Sequence, residues 1–407
     1  MVATGCGSHA RTAAHARPET PPRTIRVALS DFRWPLDPAL ASTRDETTLA
    51  RAIYSTPLRT DTSEHVVAGL CTAWNAGNGF RIWTFHCRHA VEIAAELRRA
   101  GRLRASPAFW IFSSATSVTV PAPGRLVVRL EFPWRRFPYA LTAVAAAPRG
   151  VPGPFRLVSG SPARVVLRAA GRTLVFVHLS RIDAARAFFR GKLDEAPVPL
   201  GDVGRFRSSR ELRVRPLLAL DAVVFTKPVP LDVRRALWQT ADRADYQALV
   251  AENAATAALG VAGRNERADP AAYRRAVHSI PSLPPVPVRI SVPYDSALQY
   301  GVRILYAQWR ELGLGPVLVK PDRQSDARFM RARAVYPQEE ALLAALGLPA
   351  DLSADDQRAV FARIDAFLQS KATVIPVCWV ADARLVSPRL ESWREDVLGD
   401  VDYAAIG

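Results

Sequence analysis

One stretch in the last third of the chain limits the fold more than any other. Residues 288–292 alternate as a strand, residues 295–312 carry Leu298, Val302, Leu305 and Trp309 at spacings of four, three and four, and residues 317–319 return as a strand. Apolar residues at that spacing share one helix face, and Gly313-Leu314-Gly315 stops the helix. A strand, a helix and a strand of these lengths close as a crossover between parallel strands, which makes this part of the chain an α/β body.

The rest of the sequence extends that body. Strands are expected over residues 25–30, 125–132, 155–159 and 164–169, and helices over 47–54, 91–100 and 182–190, with a turn-rich stretch over 148–154. A second body begins near Val223: residues 233–250 read as one long helix, and Ser353 with Asp356 reads as a capping box ahead of an apolar face of Val360, Phe361, Ile364 and Leu368. Asp355 and Asp356, at the start of that helix, are read as offsetting its dipole rather than as catalytic. Residues 374–380 follow as a buried strand. At 407 residues, with domains of roughly 150, the chain holds two or three units, and no run reaches the ~18 apolar residues of a membrane span.

The net charge of +16 is almost entirely arginine, since lysine stands only at 192, 227, 320 and 371. The arginines are scattered rather than gathered in a stripe with stacking aromatics, so no nucleic-acid partner is expected. Met1-Val2-Ala3-Thr4-Gly5-Cys6 puts a small residue before a cysteine, as in a bacterial lipobox, and a polar, proline-bearing stretch follows to Pro22. Cys6 is therefore the expected lipid attachment point and residues 1–23 a tether holding the body near a membrane surface.

Cys71 and Cys87 flank a hairpin-like stretch over residues 69–88 with Gly77-Asn78-Gly79 at its turn. A two-residue turn sets Cys71 opposite His86 and a three-residue turn makes the cysteines diagonal neighbours, which leaves a disulfide open. His86, Cys87 and His89 have the types of metal ligands, but 86 and 87 point to opposite faces of a strand, so no metal site is expected. The chain has no glycine-rich dinucleotide or phosphate loop, no Gly-x-Ser-x-Gly elbow and no His-Glu-x-x-His, so nothing marks an enzyme or a cofactor.

Several segments, in order, resemble one family. They are Leu36-Asp37-Pro38, Ile53-Tyr54, Val67-Ala68-Gly69-Leu70, Ala73-Trp74, Trp83-Thr84-Phe85-His86-Cys87-Arg88, Gly153-Pro154-Phe155-Arg156-Leu157-Val158, Asp232-Val233-Arg234-Arg235-Ala236-Leu237 with Asp242-Arg243, Gln308-Trp309-Arg310-Glu311-Leu312-Gly313, Val374-Ile375-Pro376-Val377 and Ala383-Arg384-Leu385-Val386. The set is similar to the extracytoplasmic solute-binding proteins, family 5, of oligopeptide, dipeptide and nickel ABC transporters. That resemblance implies a shortened, type II periplasmic-binding-protein-like clamp of two α/β lobes. Lobe I would span residues 24–223 and lobe II residues 224–377, with 378–407 returning to lobe I. The crossings would fall near Val224-Phe225 and Val377-Cys378-Trp379. It further implies a monomer outside the cytoplasm that closes on a peptide or peptide-like small solute and hands it to a permease and ATPase. The alternative within the same fold is a degenerate clamp acting as sensor or scaffold.

The resemblance also places the pocket: Asp31, Phe32, Trp34 and Arg44 from lobe I, Phe155 in the Gly-Pro-Phe loop, Arg333 and Tyr336 from lobe II, and Trp379 at the hinge. The chain departs from the family's pattern in four places. An Asp-Gly segment is missing between Arg88 and Glu92, and an Asn-Pro-x-Tyr after Leu167. In lobe II, Val335 stands where peptide binders carry the acid that pairs with the peptide's amine, and Arg331 and Arg333 precede it. The expectation from that exchange is a neutral or anionic cargo, a peptide without a free amine for example, unless both arginines face solvent.

Overall fold

The strand–helix–strand unit forms as its spacing requires. Val288–Ser291 and Pro316–Val319 pair in parallel with Val288 opposite Pro316, and the helix Ser296–Glu311 between them buries Leu298, Val302, Leu305 and Trp309. The computed structural model describes residues 24–169, 171–262, 270–279, 286–294, 296–321, 323–348, 351–352, 354 and 357–406. Cys6 with the tether, and the Ser353 cap with Asp355 and Asp356, lie outside the described residues.

One large mixed sheet runs through the molecule. From one edge its strands are Pro316–Val319, Val288–Ser291, Ala327–Arg333, Leu212–Phe225, Val374–Val386, Glu195–Pro197, Thr24–Leu29, Arg172–His178, Arg164–Ala169 and Arg156–Gly160, and Thr256–Ala257 adds to Val374–Val386. Leu212–Phe225 and Val374–Val386 are its long central pair. They run antiparallel, Leu212 opposite Leu385 and Val224 opposite Val374, so each serves both halves of the sheet. Their register slips between Pro216 and Leu220, opposite Ala381 and Trp379. Pro216 carries no N–H, and a bulge there twists and loosens the ladder.

A second, four-stranded sheet is ordered Cys71–Gly77, Ile82–Cys87, Arg125–Leu130, Ala115–Ala122. Its hairpin corrects the sequence reading. Four residues, 78–81, connect the strands, and Gly77 faces Ile82. That register would set Cys71 opposite residue 88, but a bulge before Ala73 restores Cys71 to a place opposite Cys87, and the two form a disulfide. His86 is exposed and Cys87 buried, as strand alternation requires. Trp83, Phe85, Ile93, Leu97, Leu126, Val128, Trp134 and Phe137 build the core beneath this sheet. That core is continuous with Leu218, Leu220, Tyr336, Leu342 and Phe361 from the body that follows.

The long helix expected over residues 233–250 is two helices, Leu231–Gln239 and Arg243–Ala251. Asp242 caps the second by accepting from the Asp245 N–H. The buried Arg243 guanidinium ends the first by taking the carbonyls of Trp238 and Ala241, at 3.1 and 3.2 Å, as well as those of Ala258 and Pro376. The helix expected over 47–54 starts earlier, at Arg44, because Thr43 and Glu46 close a capping box.

Candidate binding site

The helix Arg44–Ile53 turns Arg44, Thr47, Thr48 and Arg51 toward the C-terminal loop, the one-face spacing of a helix. The Arg44 guanidinium, 11% exposed, lies 3.4–3.6 Å from Asp45, Glu195, Asp382 and Glu395. Beside it Arg384, 2% exposed, reaches Asp382 at 2.8 Å, Glu195 at 3.0 Å and Asp45 at 3.3 Å. Glu195 also accepts from the Trp393 indole at 2.7 Å and the Tyr403 hydroxyl at 2.8 Å. Burial and the Asp382 charge push the Glu395 carboxyl well above the usual range, while Arg384 and Arg44 hold Asp382 below it against burial. The two carboxyls interact directly, so they take up protons as a pair rather than independently.

A second node lies one turn along. Asp400 accepts from Thr47 and Arg51, both at 2.6 Å, and from Arg333 at 3.2 Å. Against burial, Arg51 and Arg333 hold the Asp400 carboxyl low. Burial, and then the charge of Asp400, push Asp396 up to about 6.

The residues expected to line a pocket fall into three groups. Asp31 and Arg44 meet through Asp45, whose carboxylate accepts the Asp31 N–H at 3.0 Å, and Arg333 joins them through Thr47 and the Leu398 carbonyl. Phe32, Trp34 and Phe155 pack in the core around the first strand. Phe32 sits edge-on to His178, and Trp34 lies so close over Gly160 that a Cβ there would come within 2.0 Å of its ring. Gly153 and Phe155 dock the Gly-Pro-Phe loop on the helix end through the Ile53 and Ala52 carbonyls, at 2.7 and 3.1 Å. Tyr336 and Trp379 belong to the core beneath the small sheet, Trp379 opposite Leu220 and Thr256.

The two arginines ahead of Val335 are neither solvent-facing nor uncompensated. Arg331, 24% exposed, grips Asp221 in a two-pronged pair at 2.7 and 2.9 Å, and Arg333, 13% exposed, is held by Asp400 and Leu398. The positive charge of these two arginines is thus balanced inside the protein, while Val335 still stands in place of the acid.

Around Tyr336 the structure assembles side chains that the sequence does not single out. Trp110 and Trp134, from the body of the small sheet, stack with centroids 5.9 Å apart, and both face the Tyr336 ring, at 6.2 and 6.3 Å. From the other body comes Glu340, 1% exposed. Among the described residues, neither indole N–H of the pair nor the Tyr336 hydroxyl makes a hydrogen bond. Arg136 stands 3.5 Å from Glu340 as its ion-pair partner and donates to Gln338 at 2.9 Å. Burial pushes the Glu340 carboxyl up, and burial with the Glu340 charge pushes the Tyr336 hydroxyl up. These rings form part of the buried core that joins the small sheet to the body that follows. The two tryptophans stand more than 200 residues from Tyr336 and share no local motif with it.

Among the described residues no group of three or more His, Cys, Asp or Glu could hold a metal ion, and no helix is long and apolar enough to cross a membrane. No protein-family model and no curated protein matches the sequence. Solved structures match its fold over nearly the whole length. The murein tripeptide binding protein MppA of Escherichia coli is 14% identical, with 93% of this chain and 96% of that one covered at a TM-score of 0.76. OppA of Listeria monocytogenes, bound to peptide, is 10% identical over 94% and 98% at 0.77, and NikA of Brucella suis, in complex with Fe(III)-EDTA, 15% over 94% and 99% at 0.74. The chain has their fold, the two-lobed α/β clamp of the periplasmic binding proteins.

Proposed function

We propose that this chain is the solute-binding component of an ABC importer, related to the family 5 solute-binding proteins, and that it captures a peptide or peptide-like small solute between its lobes. The observation that carries the reading is the near full-length likeness to binding proteins of a tripeptide, a peptide and a metal chelate. The patch of unpaired polar groups on Trp110, Trp134 and Tyr336 supports it, because both bodies contribute to it and a solute there gains contacts from each only in the closed form.

In this reading the lobes hinge on the two central strands. The register irregularities between Pro216 and Leu220 and between Asp221 and Ala222, the second of them close to Val224-Phe225, are the places for that bend. The Cys71–Cys87 disulfide fits a compartment outside the cytoplasm. Lipid attachment at Cys6 remains part of the proposal, and mass spectrometry of the native N-terminus finding a free cysteine would remove it. Delivery to a permease completes the role.

Isothermal titration against short peptides, metal chelates and sugars tests the binding claim. One solute class binds at one site per chain. Absence of heat from every class contradicts it.

A further inference from the structure

We infer that one face at the edge of the large sheet, carrying Arg156, Arg164 and Arg168, docks the body on an anionic bilayer surface. The arginine excess, spread over most of the chain, thickens once. Residues 151–192 hold seven arginines and one lysine against a single acid, Asp183, which pairs with Arg186 at 3.4 Å. About a tenth of the chain thus supplies a formal excess of seven positive charges out of sixteen.

Strand register turns that excess to one side. Thr24, Thr173, Arg168 and Arg156 stand opposite one another in a row across four neighbouring strands, and residues paired in this way point to the same face. Arg164, four positions before Arg168, and Arg26, two after Thr24, share that face, and all four arginines are exposed. Arg156 lies directly opposite Arg168 in an antiparallel pair, where like charges repel and weaken the sheet. That juxtaposition opposes folding and favours an anion arriving from outside.

Two observations favour a bilayer over a soluble polyanion. The helix Arg181–Phe189 packs on the same face, burying Ala184, Ala185 and Phe188 with Ala28, and leaves Ile182 and Phe189 each more than half exposed. Apolar side chains beside arginines suit the boundary between head groups and acyl chains, and a phosphate backbone in water gives them nothing to enter. The described fold also begins at Thr24, three strand spacings or about 14 Å from Arg156 in the same row, so the residues before it, Cys6 among them, join the fold at this face. Neither a bound solute nor acylation of Cys6 is needed for the contact.

The test sediments the full chain, carrying Cys6→Ser so that it cannot be acylated, with vesicles of phosphatidylcholine and with vesicles of phosphatidylcholine and phosphatidylglycerol mixed two to one. The anionic vesicles bind about tenfold or more tightly than the neutral ones, and the preference fades as salt rises. An arginine near an anionic surface is worth about fivefold, so Arg156→Glu with Arg168→Glu weakens vesicle binding by about twentyfold or more. Arg303→Glu with Arg310→Glu, two exposed positions on the helix Ser296–Glu311, lowers the net charge equally and changes binding by no more than about twofold. Arg168→Glu alone raises the unfolding midpoint, because it turns a like pair with Arg156 into an opposite one, and still weakens vesicle binding. Equal losses in the two double variants, equal binding to neutral vesicles, or no vesicle binding overturns the proposal. Duplex DNA bound more tightly than anionic vesicles through the same arginines overturns it as well. Solute titration of the same protein tests the binding reading separately and is unaffected by any of these results.

Discussion

Arg384 touches three carboxylates while 2% exposed, and two of them, Asp45 and Glu195, are themselves buried. Removing a buried partner leaves the others uncompensated, so Arg384→Ala is expected to cost about 3–5 kcal/mol, read as a lower denaturant midpoint. Asp396 gives the pH signature. Its folded pKa, about 6, lies above its ordinary 3.8, so the folded state binds more protons than the unfolded one between those values. Its contribution to stability is present below pH 3.8 and is lost as the pH rises to about 6. Asp396→Asn should flatten that decline in unfolding curves taken across the window, and an unchanged profile would refute the assignment. Asp45, Glu46 and Asp400, held low by arginines and N–H donors, act in the opposite sense and protect the fold until more acid conditions. At this scale the sequence could offer Arg331 and Arg333 but not their partners, because Asp221 and Asp400 are 110 and 67 residues away.

At the scale of elements, the hairpin and the capped helix carry separate predictions. The Cys71–Cys87 bridge closes a loop with a sequence separation of 16, so replacing both cysteines by serine should cost about 2–4 kcal/mol. Thr43→Ala, which opens the capping box of Arg44–Ile53, should cost about 1 kcal/mol and tilt the face that carries Arg44, Thr47 and Arg51. Both are measured by denaturant unfolding, and a cost near zero contradicts either one. Most elements were legible from periodicity: the parallel unit around the helix Ser296–Glu311 follows from Leu298, Val302, Leu305 and Trp309 alone. The failures were places where a backbone detail outweighs periodicity. A bulge between Cys71 and Ala73 decides the disulfide that the turn alone left open, and Asp242 with Arg243 broke a helix whose apolar spacing runs straight through.

For the whole molecule, the long pair Leu212–Phe225 and Val374–Val386 ties one sheet through both halves, with register slips between Pro216 and Leu220 and between Asp221 and Ala222. The Trp110, Trp134, Tyr336 and Glu340 contact joins the halves while leaving polar groups unpaired, each at a cost of about 1–3 kcal/mol. In the proposed function, a solute that gains contacts from both halves favours the closed form. The site was legible only at Tyr336, since its other members come from distant segments that meet through the fold. Small-angle X-ray scattering of the full chain, titrated with the tightest solute found by calorimetry, tests this most directly. The account predicts a radius of gyration that falls as the site saturates, whereas full occupancy with an unchanged radius would contradict it.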